Sequence, residues 1–125
     1  MQIINCSISL CFSPKRYDVF SIEKLLKEKN IEYFWENFPL YADEVSFGVA
    51  KVSFDTLDVN AVVESALEQL KNKTDILKEI LSQFEGDIVV GVWFTPGETF
   101  PIIKFNPCVL KKLSDLNAEF YIDIL

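Results

Sequence analysis

Histidine is absent from the 125 residues, and cysteine and glycine are scarce, at three and four. Each shortage excludes a chemistry. A serine or cysteine nucleophile needs a nearby base, normally histidine, so no triad can be assembled. Cys6, Cys11 and Cys108 are an odd, scattered set with no CxxC pair, and without histidine they give no zinc spacing. The glycines stand alone and form no loop that would cradle phosphate. No apolar run reaches the length of a membrane span. The amino terminus lacks a basic region followed by a long apolar one, so a signal peptide is not expected. Basic residues are outnumbered, and the formal net charge of −7 argues against nucleic acid, whose phosphates would be repelled.

Half of the residues are hydrophobic and a quarter charged, an ordinary globular composition. The length suits one domain with a core of its own. Free thiols point to a reducing compartment, and hence to the cytoplasm.

The stretch from Leu57 to Phe94 organises the chain. Val59, Val62, Val63, Ala66, Leu67 and Leu70 share one helical face, with Asp58 or Asn60 as the cap. Asn72-Lys73-Thr74 interrupts the pattern, and Ile76, Leu77, Ile80, Leu81 and Phe84 resume it. Two helices with a kink are expected, with Thr74 capping the second and Gly86 ending it in left-handed geometry. Ile88 to Phe94 is apolar on both parities and reads as the sheet's central strand.

Elsewhere, Ile4, Cys6, Ile8, Leu10 and Phe12 alternate with Asn5, Ser7 and Ser9, a strand with one wet face. Ser21 caps a short helix through Lys29, with Ile22, Leu25 and Leu26 facing in. A short strand before Pro39 and another from Val45 to Phe54 follow. Pro96-Gly97 suits a type II turn, making Phe100 to Phe105 the return strand of a hairpin. Asn106-Pro107 opens a helix with Val109, Leu110, Leu113 and Leu116 inward and Asn117 as its stop. Phe120, Ile122 and Ile124 alternate with Glu119, Tyr121 and Asp123 in a last strand. The fold class is α+β: a mostly antiparallel sheet with helices packed against it, in a single domain over residues 1–125.

Leu57-Asp58-Val59, Leu67-Glu68-Gln69-Leu70, Ile76-Leu77-Lys78-Glu79, the Val89-to-Phe94 strand and the closing run from Val109 to Asp123 together resemble one family. Tyr17-Asp18 through Leu26 resembles its first helix. It is the bacterial family catalogued as domain of unknown function 4279. Those motifs are structural, so the resemblance carries over no catalytic residue. It does imply a likeness to immunity proteins that stand beside secreted toxins. Ile31 to Phe47 departs from the family's pattern.

Local carboxylate clusters, Asp43-Glu44, Asp55 with Asp58, and Glu85 with Asp87, are the only groups suited to acid/base work or magnesium. A solvated loop or a helix cap accounts for them more simply. Cys6 falls on an apolar strand face, and packing is the expected role for it and for Cys108. No enzyme, cofactor or metal is expected.

The sharpest lead is the stretch Asn30 to Ala50, which holds no lysine or arginine. Glu32, Tyr33, Trp35, Glu36, Tyr41, Asp43 and Glu44 are the candidate contact residues for a protein partner. Aromatic side chains anchor interfaces at low entropy cost, and carboxylates speed encounter with a cationic surface. The competing reading makes Phe34, Trp35, Phe38 and Phe47 core residues over a solvated acidic loop. The expectation is a non-catalytic immunity protein that occludes a cationic toxin domain, such as a nuclease. The alternative is a small regulatory or homo-oligomerising module whose contact is a strand edge or the Phe100-to-Phe105 segment.

Overall fold

A computed structural model describes residues 1–36 and 43–125 of the chain. In chain order the elements are β1 (Ile3–Phe12), α1 (Val19–Glu28), β2 (Phe34–Glu36), β3 (Val45–Asp55), α2 (Val59–Glu68), α3 (Thr74–Gln83), β4 (Asp87–Phe94), α4 (Pro107–Asp115) and β5 (Glu119–Ile124). The strands form one sheet in the order β2-β3-β1-β4-β5. Every neighbouring pair is antiparallel except β4 with β5. The α+β class is as the patterns predict.

Period-two alternation divides the sheet into two faces. Ile4, Cys6, Ile8, Leu10 and Phe12 of β1 join one core with Ile88, Val90, Val92 and Phe94 of β4. All four helices among the described residues send their buried side chains into that core, among them Ile22, Leu26, Val62, Val63, Leu77, Ile80 and Val109. Burying each such side chain contributes about 1.5–3 kcal/mol before conformational entropy is charged against it. The other face carries Asn5, Ser7, Ser9 and Cys11 of β1, Ser46 and Gly48 of β3, and Val89 and Gly91 of β4. Cys11 and Val89 form a small separate cluster there with Tyr121.

Several expectations need correction. The central strand is β1, with β4 beside it, because β1 pairs on both edges with long partners. The second face of β1 is not wet: Ser7 and Ser9 are fully buried. The ring of Phe34 lies over Gly48 and that of Tyr121 over Gly91, where an added Cβ would come within 2.1 and 2.8 Å of them. Those two glycines are the register partners of Ser9 and Ser7. Phe100 to Phe105 is not a return strand, since β1 and β5 already occupy both edges of β4. Gly97 does not take the positive φ of a type II turn. Buried Gln2 clamps that turn instead, its amide donating to the Thr95 carbonyl and accepting from the Gly97 N–H, both at 2.9 Å. The chain then crosses to the start of α2, where Ile102 bridges Asp58. Finally, Leu110 and Cys108 are exposed rather than packed.

Helix ends follow capping chemistry. Asp58 accepts from the Ala61 N–H and Asn106 from the Val109 N–H, as expected. Asp18 caps α1 in place of Ser21, and α3 begins after Lys73 without a side-chain cap. Asn30, Asn72 and Asn117 take the left-handed conformation at their helix ends. After α3 it is Glu85, at φ 50°, that takes it, and not Gly86. Gly86 serves close approach: a Cβ there would lie 2.3 Å from the Phe12 ring and 3.0 Å from the Cys11 carbonyl oxygen. Phe12 is fully buried and cannot swing away. Gly86→Ala is therefore expected to cost about 1–3 kcal/mol by overpacking, read as a lower urea midpoint at unchanged slope.

Candidate functional site

α1 closes through left-handed Asn30, and the Ile31 N–H returns to the Leu26 carbonyl at 2.9 Å. Ile31 is buried, which aims the chain along the sheet edge as β2. Alternation in β2 then divides the candidate residues between two faces. Tyr33 and Trp35 lie on the helix side with Phe47, their ring centroids 5.3 and 4.8 Å from its own. The Tyr33 hydroxyl donates to Glu23 at 2.5 Å, and that hydrogen bond, with burial, pushes the phenol up to about 12. Trp35 remains 59% exposed, whereas Phe47 is core. Glu32 is exposed just ahead of the strand. Tyr41 lies outside the described residues.

Glu36 points to the opposite face, paired with Ser46. Asp43 is exposed and Glu44 half-buried immediately before β3. Two more carboxylates come toward Glu44: Asp87, placed in register with Cys11 by the antiparallel pairing of β4 with β1, and Glu119, placed in register with Val89 by the parallel pairing of β5 with β4. Burial, and then repulsion from Asp87 and Glu119, holds Glu44 above its ordinary value of 4.5. Burial and Glu119 do the same to Asp87. Glu36 is raised by burial and partly relieved by Lys51. One Glu44 oxygen is buried with no hydrogen-bond partner among the described residues. Lys51 itself lies 5.7 and 5.6 Å from the ring centres of Phe34 and Trp93 on the same face. The result is an acidic end and an aromatic, lysine-bearing middle on the face that the helices leave alone.

Among the described residues, no three His, Cys, Asp or Glu side chains are placed to hold a metal ion. Cys11 sits beneath the acids with its sulfur 3.1 Å from the Ser46 hydroxyl. Burial, more than the neighbouring carboxylates, pushes its thiol to about 12, and burial does the same to Cys6. Neither is a poised nucleophile.

Sequence reasoning found Glu36 and Glu44 but missed Glu119. Asp87 stood out only as a neighbour of Glu85. Their meeting depends on a parallel strand pair whose members are far apart in sequence, and nothing local signals that.

The family described as "Domain of unknown function (DUF4279)" matches residues 41–125. No curated protein and no solved structure matches the chain.

Two measurements check this geometry. Glu44 is raised in the folded state, so its favourable contribution is complete below 4.5 and is lost as pH rises through its folded value. Glu44→Gln is thus expected to be more stable than the native chain at neutral pH, with the advantage shrinking toward acid pH, in denaturant melts across that range. A thiol reagent in excess should modify only exposed Cys108 in the folded protein, and all three cysteines after unfolding, as counted by mass spectrometry.

Proposed function

The chain belongs to the DUF4279 family, and from that membership, which assigns no activity, we propose that it is a non-catalytic binding protein. Its role would be that of a bacterial immunity protein that neutralises a cognate secreted toxin by direct occlusion. The observation that carries this reading is the group of carboxylates on the helix-free sheet face. Glu36, Glu44 and Asp87 are each desolvated and held above their ordinary range. A buried acceptor left without a donor costs about 1–3 kcal/mol. Lysine or arginine from a partner would neutralise the cluster, supply the missing donor to Glu44 and recover that cost.

The chemistry of the partner follows. A domain that cleaves RNA or DNA must present cations to phosphate, and a net charge of −7 steers such a domain toward this face. Trp35, more than half exposed at the β2 edge, would anchor the rim. Glu32, Tyr33, Asp43 and Tyr41 complete the candidate contact. The cytoplasm is the compartment that fits three free thiols. Among the described residues no helix is long and apolar enough to cross a membrane.

Calorimetry tests the proposal. The protein is titrated with the C-terminal domain of the large secreted protein encoded beside it, at low and at high salt. Tight binding that weakens with salt is expected. Reversing the charges of Glu36, Asp43 and Glu44 together should slow association by about tenfold or more. Unchanged binding by a folded triple variant would remove this face from the contact. Absence of heat at both salts would remove the toxin as partner.

A further inference from the structure

The sheet has two outer edges, and they are guarded unequally. At one, β2 is only three residues long. Beyond it the edge of β3 is closed at Lys51, whose N–H donates to the Gln69 side-chain oxygen while its carbonyl accepts from the Gln69 amide, both at 3.3 Å. Short strands, edge lysines and covering side chains are the usual defences of an open ladder. At the other edge β5 runs six residues in unbroken register with β4, without proline, lysine or a bulge.

The backbone direction of β5 is fixed by one hydrogen bond. The Leu125 N–H donates to the Phe94 carbonyl at 2.9 Å, so Leu125 faces β4. Alternation then turns the N–H and C=O groups of Phe120, Ile122 and Ile124 outward. Their side chains are apolar and half or more exposed at Ile124, with Leu125 exposed beside it and Phe105 leaning on the Phe120 ring at 5.1 Å.

We propose that β5 pairs antiparallel with β5 of a second copy of this chain, about a two-fold axis at Ile122, to make one continuous ten-stranded sheet. The strand's own pattern selects this occupant and this register. With the axis at Ile122, Ile122 meets its counterpart, Phe120 meets Ile124 and Tyr121 meets Asp123. The outward groups of Phe120, Ile122 and Ile124 all fall in hydrogen-bonded pairs. With the axis at Tyr121, hydrogen bonding is also possible, but Glu119 would stand opposite Asp123 twice. Like charges directly opposed are destabilising. The first register has no carboxylate facing another, and it places apolar side chains together on the helix side. The second face of the doubled sheet keeps both acidic ends, so the proposal is independent of the toxin reading.

Light scattering across protein concentration gives the first test, with a dimer mass expected. Ile122→Lys brings two ammonium groups together at the axis and should weaken the dimer by roughly tenfold or more. Register is read by oxidation in a Cys108→Ser background. Ile122→Cys should cross-link to itself, since paired Cα atoms about 5.5 Å apart lie within disulfide range. Ile124→Cys, which faces Phe120, should not. A monomer at every concentration overturns the proposal. So does a dimer that survives Ile122→Lys, or one that cross-links through position 124 and not 122.

Discussion

Ile4, Cys6, Ile8 and Leu10 have register partners on both sides, in β3 and in β4, and are buried against helices on one face. That double pairing constrains everything else. β3 and β4 must flank β1, so the helices that follow them cross the same face. It also leaves the other face of β1 without a helical cover. The chain fills that face with small side chains, Ser7, Ser9, Gly48 and Gly91, over which Phe34 and Tyr121 can lie flat. Two serine hydroxyls are left there without partners among the described residues, a cost accepted for close packing.

Sidedness also decides where charge collects. Helix-bearing faces are sealed by apolar side chains, so carboxylates brought near the sheet must settle on the other side. Glu44, just before β3, and Asp87, at the start of β4, stand at the same end of β1's two neighbours, and Glu119 comes from the parallel edge strand. Glu44 and Asp87 are raised with no cation among the causes to offset their desolvation, whereas Glu36 has Lys51. Groups held out of water without compensation are more often found at binding surfaces than in purely structural ones.

Much of the fold was legible because its signals are local. The alternation in β1 and β5, the two helical stripes after Leu57, and the caps Asp58 and Asn106 each depend on neighbours within a few residues. What failed depended on distant ones. Ser7 and Ser9 look solvent-facing until Tyr121 and Phe34 are brought beside them. Phe100 to Phe105 looks like a return strand until β5 takes the edge it would need. Gly86 looks like a helix stop, but its lack of a side chain answers to Phe12, far back in the chain. The candidate site was legible in the same measure: the acids on either side of residues 37–42 stood out, but the split of Tyr33 and Trp35 from Glu36 follows from which face β2 presents.

The placement of β1 has a temporal side. Of these five strands the earliest in the chain is the one that needs the most distant partners, β3 at Val45–Asp55 and then β4 at Asp87–Phe94. Loop closure over such separations is slow compared with helix formation. During synthesis an apolar strand with two open edges waits for most of the chain. Unpaired edges and exposed apolar surface of that kind are what make partly made chains prone to aggregate and what chaperones shield.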